Sequence, residues 1–62
     1  MNGKELVRLL ERDGWTLDHI TGSHYIMKKP GARSVSVPVH GSKDMPKGTA
    51  MAILKQAGIK KP

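Results

Sequence analysis

The chain contains no cysteine. That excludes disulfide staples, thiolate zinc sites and cysteine nucleophiles, and it makes a reducing, cytoplasmic setting the expectation. No apolar run approaches the roughly 18 residues of a membrane span, and the N-terminus carries no apolar segment of the signal-peptide kind. No membrane partner is therefore expected. Aromatic residues are scarce, with Trp15 and Tyr25 the whole set. Acidic residues are few as well: five Asp and Glu stand against eleven Lys and Arg, for a formal net charge of +6. Such a balance suits a polyanionic partner, whether RNA, DNA or an acidic protein, and a lysine-rich surface with no special partner is the plainer alternative. Internal repeats and low-complexity tracts are also missing. A chain of 62 residues is expected to form one domain over 1–62, and a domain of that size buries only about 60% of its unfolded surface.

What the chain does have is clear periodicity. Asn2 followed by Glu5 is the signature of a capping box, and Leu6, Val7, Leu9 and Leu10 then recur at helical spacing until Gly14. The pattern predicts a helix over about residues 3 to 13. From Trp15 the period changes to two. Trp15 and Leu17 alternate with Thr16 and Asp18, Tyr25 and Met27 with His24, Ile26 and Lys28, and Val35, Val37 and Val39 with Ser34, Ser36 and Pro38. Turn signals at Thr21-Gly22-Ser23 and Pro30-Gly31 separate these three strands. Pro38 lacks a ladder donor and belongs near a strand end or on an edge. After a loop with Gly41, Ser42, Asp44 and Pro46, residues Ala50, Ile53, Leu54 and Ala57 mark one helical face. Gly58 ends it with Ile59 placed against Leu54 in a Schellman motif, and a basic tail follows at about 60–62. Helix, three strands, helix is an α+β order. Since each element has one apolar side, a three-stranded antiparallel sheet with both helices on one face is the expected packing.

That packing has a consequence for the side chains it leaves outside. If Trp15, Leu17, Tyr25, Met27 and the valines face the helices, the even-numbered residues of the first two strands face outward. A three-residue turn at 21 to 23 would pair Ile20 with His24 and Asp18 with Ile26. His24, Ile26 and Lys28 then share the open face, whereas His19 falls on the core parity as a partly buried histidine. Ser23 and His24, adjacent on an extended chain, diverge and do not make a Ser–His nucleophile pair. Both aromatics also fall on the core parity, which argues against base recognition by stacking.

RNA carries its own nucleophile, the 2′-hydroxyl beside each phosphodiester. Cleavage needs a base to take that proton or an acid to protonate the leaving 5′-oxygen, and positive charge near the phosphorane helps. Histidine suits either proton transfer near neutrality. His24, with Lys28 on its face and Lys29 just beyond, has the residue types for such a site. An ordinary exposed histidine in a basic domain has the same local sequence.

Four segments narrow the choice: "KELVRLLERDGW" at 4–15, "GSHYIMKKP" at 22–30, "VSVPVHG" at 35–41 and "PKGTAMAILKQAGI" at 46–59. In this order and spacing the chain resembles the HicA family of bacterial toxins, mRNA interferases of type II toxin–antitoxin systems. The resemblance implies a double-stranded-RNA-binding-domain-like fold, translation-independent cleavage of mRNA, and the histidine of the "GSH" motif, here His24, as the catalytic residue. It also implies a neutralising partner of the HicB type, for which His24, Ile26 and Lys28 are the expected interface. A basic residue, often arginine, is common in the family a few positions before that motif. Here the segment reads "LDHITGSH", and His19 occupies that neighbourhood.

The remaining candidates divide by chemistry. Lys28, Lys29, Lys43 and Lys47, with the lysines of the tail, are the expected phosphate contacts on single-stranded RNA. His40 is a second proton-transfer group, a phosphate contact or a loop residue of the third strand, and Ser23, within the "GSH" motif, is an auxiliary candidate. Three histidines could in principle bind zinc, but none occurs at the close i, i+2 or i, i+4 spacings of local metal pairs. No metal and no cofactor is expected. Two other functions share these features: a non-catalytic RNA-binding module of the same fold, and a protein whose sole role is to bind an acidic partner.

Overall fold

The structure, a computed structural model, describes residues 1–59, so the basic tail at 60–62 lies outside the described residues. The elements run α1 (Gly3–Arg12), β1 (Thr16–Thr21), β2 (His24–Lys28), β3 (Val35–Pro38) and α2 (Lys47–Gln56). The strands form one antiparallel sheet in the order β1-β2-β3. This is the α+β order that the periodicity indicated, and it fits the double-stranded-RNA-binding-domain-like fold that the family resemblance implied.

Local chemistry accounts for the helix ends. The Asn2 side chain accepts the Glu5 backbone N–H at 2.9 Å, and the Glu5 carboxylate accepts the Asn2 N–H at 2.9 Å. Two N–H groups that a helix start would leave without partners are thereby satisfied. At the other end Gly14 donates to the Glu11 carbonyl at 3.1 Å and Trp15 to Leu10 at 3.0 Å. Gly58 and Ile59 repeat the pattern on Lys55 (3.1 Å) and Leu54 (2.9 Å). Both helices thus close in Schellman motifs. The first helix ends at Arg12 with Asp13 as its cap, one residue earlier than the periodicity suggests.

One cluster forms the core. Leu6, Val7 and Leu10 from α1, Met27 from β2, Val35 and Val37 from β3, and Ile53 and Leu54 from α2 pack with Trp15 and Val39. Leu6, Leu10, Met27 and Val37 are wholly inaccessible to solvent. Because both helices meet the odd-numbered residues of β2 and β3, they lie on the same face of the sheet. The approach is close at Gly3. A Cβ there would stand 2.9 Å from the Val39 Cα and collide with the Pro38 carbonyl oxygen, so the start of α1 rests on bare backbone.

The first hairpin departs from the parity read in the sequence. Thr21 pairs directly with His24, leaving the two-residue turn Gly22-Ser23. Gly22 has φ +59°, which suits glycine at the first central position of a type II′ hairpin turn. A one-residue change of register flips every side chain to the other face, and the strand absorbs this change with a bulge. Leu17 pairs with Met27, but the next partners are His19 and Ile26, so Asp18 is the extra residue. Ile20 then faces the helix side opposite Tyr25, and His19 and Thr21 turn to the open side. Two expectations are corrected by the turn and this bulge: His19, not Asp18, stands opposite Ile26 on the open face, and Ile20 pairs with Tyr25, not with His24.

Leu17 corrects a third. It lies on the helix side yet is 41% exposed, and Ile20 is 50% exposed. The core is built over β2 and β3, and every residue of the edge strand β1 remains exposed. A direct comparison tests this packing. Leu10→Ala empties a fully enclosed site and is expected to cost about 2–5 kcal/mol, whereas Leu17→Ala removes a side chain that is already half in water and should cost well under about 1.5 kcal/mol. Denaturant unfolding of both variants measures the difference, and equal losses would put Leu17 in the core after all.

Candidate active site on the open sheet face

β2 is the central strand, so its outward residues are flanked on both sides. Along it, His24, Ile26 and Lys28 line the open face. Across one edge they meet Thr21, His19 and Thr16, and across the other Pro38 and Ser36 stand opposite His24 and Ile26. The uncovered face thus carries two histidines, one hydroxyl contributed by β3, and an apolar residue, Ile26, between them.

His24 is held from β3. Its Nδ1 lies 3.1 Å from Ser36 Oγ, so the ring is oriented through one nitrogen and Nε2 is left for an incoming group. A serine hydroxyl donates or accepts, and it therefore serves either ring tautomer. Sequence reasoning missed Ser36. The residue was on the outward parity of "SVSVP", but which strand-three residue approaches His24 depends on the β2–β3 register. Ser23 has a different task. Its carbonyl oxygen accepts the Val39 N–H at 2.7 Å, tying the hairpin turn to the end of β3, and no hydrogen bond joins it to His24 among the described residues.

The bulge makes a second polar group. His19 Nδ1 and Asp18 Oδ2 are 2.7 Å apart, and Lys28 Nζ lies 3.6 Å from the same oxygen. The hydrogen bond from His19, aided by the positive charge of Lys28, holds the Asp18 carboxyl below the 3.8 of a free aspartyl side chain even though the group is exposed.

The expected phosphate contacts do not converge. Lys28 shares the face of His24 but leans toward Asp18. Lys29 turns away: its ammonium is 3.1 Å from Asp13 Oδ2 and 5.9 Å from the centre of the Trp15 ring, on the side of α1. Lys43 and His40 line a concavity with Asp44, Met45 and Thr49, and Pro38, the cross-strand partner of His24, forms its near wall. Lys47 is exposed at the start of α2, where Pro46 provides no side-chain cap and the first turn holds no acidic residue. No group of three or more His, Asp or Glu side chains able to hold a metal ion occurs among the described residues, and no described helix is long and apolar enough to cross a membrane.

The Asp18 contacts have a measurable signature. A carboxyl whose folded value is depressed adds stability above its unfolded value, and loses it as pH falls through the folded one. Carbon-detected NMR titration is expected to show Asp18 with a midpoint below 3.8, and His19→Ala should move it back upward. An unchanged midpoint in the variant would mean that the two residues are not in contact.

Comparison with known proteins agrees with this arrangement. The family model described as HicA toxin of bacterial toxin-antitoxin matches residues 3–59. Among solved structures, a chain of a toxin–antitoxin complex from Streptococcus pneumoniae superposes with a TM-score of 0.84 at 40% sequence identity, covering 95% of this chain and 98% of that one. No match was found among curated proteins. With a family match across nearly all the described residues and a relative this similar over its full length, the chain belongs to the HicA toxin family.

Proposed function

We propose that this toxin is an endoribonuclease that cuts single-stranded mRNA without a metal ion, with His24 as its catalytic residue. The observation that carries the reading is the setting of His24. Its ring is exposed on the uncovered face of a central strand, fixed through Nδ1 by Ser36 at 3.1 Å, and its second nitrogen has no hydrogen-bond partner among the described residues. RNA supplies the 2′-hydroxyl as nucleophile, so the protein needs only to move protons and bear positive charge. His24 acts as general acid or base. Lys28, once drawn from Asp18 by a phosphate, and Lys43, beyond Pro38, lie at the two ends of a path that crosses His24, and the net charge of +6 favours the encounter. Lys47, exposed at the start of α2, is a further candidate contact, and Lys29, paired with Asp13, contributes least. A ribonuclease with this substrate would act in the cytoplasm.

Regulation follows from the same surface. A HicB-type antitoxin is the proposed partner, lying across the open face and blocking His24 sterically. Ile26 is an apolar residue flanked by His24 and Lys28, a suitable anchor for such an interface.

A labelled RNA incubated with wild type, His24→Ala and His24→Gln tests the chemistry. Both variants are expected to lose cleavage by about 10²–10⁴-fold, because an amide hydrogen-bonds but does not exchange a proton near neutrality. Folding and RNA binding should persist, as an exposed ring contributes little packing. Cleavage should continue in EDTA and leave 2′,3′-cyclic phosphate ends. A His24→Ala protein that binds RNA and cuts at the wild-type rate removes His24 from the mechanism. A wild type that binds without cutting identifies a non-catalytic RNA-binding module instead.

The partner surface has its own test. Ile26→Glu is expected to raise the Kd for the antitoxin at least tenfold while leaving the melting temperature nearly unchanged. Full neutralisation of that variant would place the interface elsewhere.

A further inference from the structure

The bulge at Asp18 brings a second histidine onto the face of the first, and this pairing extends the reading of His24 on which it rests. His19 stands opposite Ile26, and His24 lies two residues further along β2 on the same face. Diagonal neighbours of this kind lie roughly 7–8 Å apart, their Cβ atoms somewhat closer, with Ile26 as the apolar floor between them. Each ring is held through Nδ1, His19 by Asp18 at 2.7 Å and His24 by Ser36 at 3.1 Å. Each ring thus has an Nε2 with no hydrogen-bond partner among the described residues, on the same face of the sheet.

In-line cleavage of a phosphodiester places the attacking and leaving oxygens on opposite sides of phosphorus. Each proton transfer needs its own group within about 2.6–3.2 Å, so one ring cannot serve both oxygens at once. Two rings spaced across a floor can. The partners of the rings differ in charge. Asp18 is an anion 2.7 Å from the His19 ring, whereas Ser36 is neutral. The other charged group facing His19 is Lys28, itself directed at Asp18, and β3 adds no charge on this side.

We infer that His19 is a second catalytic residue of the site, the general acid that protonates the leaving 5′-oxygen while His24 takes the proton of the 2′-hydroxyl. The O2′–P bond forms and the P–O5′ bond breaks. One proton passes to His24 Nε2 and one leaves His19 Nε2, yielding a 2′,3′-cyclic phosphate and a 5′-hydroxyl. Exchange with water resets both rings. Asp18 is a positioning residue that turns Nε2 of His19 outward.

A substrate with a bridging 5′-sulfur at the scissile position separates the roles, since a thiolate leaves without being protonated. His19→Ala is expected to lose about 10²-fold or more on ordinary RNA and to recover most of that loss on the sulfur-bridged RNA. His24→Ala should stay impaired on both, and Asp18→Asn should show the His19→Ala pattern in weaker form. His40→Ala is measured alongside, because recovery there would assign the acid to His40 instead. Because His19 is exposed, an unchanged melting temperature is expected to accompany its loss of activity. If His19→Ala cuts ordinary RNA at the wild-type rate, loses equally on both substrates, or yields the recovery pattern to His40→Ala, the inference is overturned with the role of His24 intact. A wild type inert on ordinary RNA overturns the nuclease reading itself, and this inference with it.

Discussion

β2 has to serve two faces at once, and the rest of the molecule follows from how it does so. Met27 is fully enclosed beneath both helices, paired with Leu17 on one side and Val35 on the other. Removing such a side chain from water stabilises the fold by about 1.5–3 kcal/mol, and a slip of one residue would forfeit that gain and push His24 or Lys28 into an apolar core. The strand therefore has one workable register. That register sends His24, Ile26 and Lys28 outward together. The hydrophobic core, which takes no part in chemistry, decides which groups face the solvent.

The site is then refined where the regular pattern breaks. The two-residue turn at Gly22-Ser23 leaves β1 out of step with its own apolar alternation, and the extra residue Asp18 corrects the step halfway along. Bulges of this kind re-aim side chains and concentrate near functional sites. Here the bulge sets an aspartate and a histidine side by side, close to the lysine of the neighbouring strand. The price is borne at the edge, where Leu17 and Ile20 remain half in water. Ser23 secures the same region, since its carbonyl ties the turn to Val39 and so carries the hairpin and the end of β3 as one unit.

Charge is distributed less simply than its total implies. Lys29 is held by Asp13 and the Trp15 ring, far from the open face in function though adjacent to Lys28 in sequence. Lys28 is paired with Asp18, but an exposed ion pair of this type is worth only about 0–1 kcal/mol. A phosphate can compete for that lysine at little cost, and the released carboxylate keeps its hydrogen bond with His19. The pairing therefore keeps Lys28 over the face without locking it there.

Much of this was legible in the chain itself. The capping box at Asn2 and Glu5, the glycine-terminated helices, the valines of β3 and the outward set His24, Ile26 and Lys28 are all local or strictly periodic features, and local chemistry specifies them. Segment by segment resemblance to the HicA family pointed to His24 as well. What periodicity could not supply was anything dependent on two strands at once. The choice of Ser36 as the partner of His24 follows from the β2–β3 register. The exposure of Leu17 follows from where the helices end over the sheet. His19 reads as a core residue in any strict alternation, and only the pairing of β1 with β2, which leaves room for one residue too many, turns it outward. The sequence by itself determined the elements and the face that bears His24, because these depend on spacing along one chain. Tertiary structure decided which side chains meet on that face, because contact across strands depends on register, and a single bulge resets it.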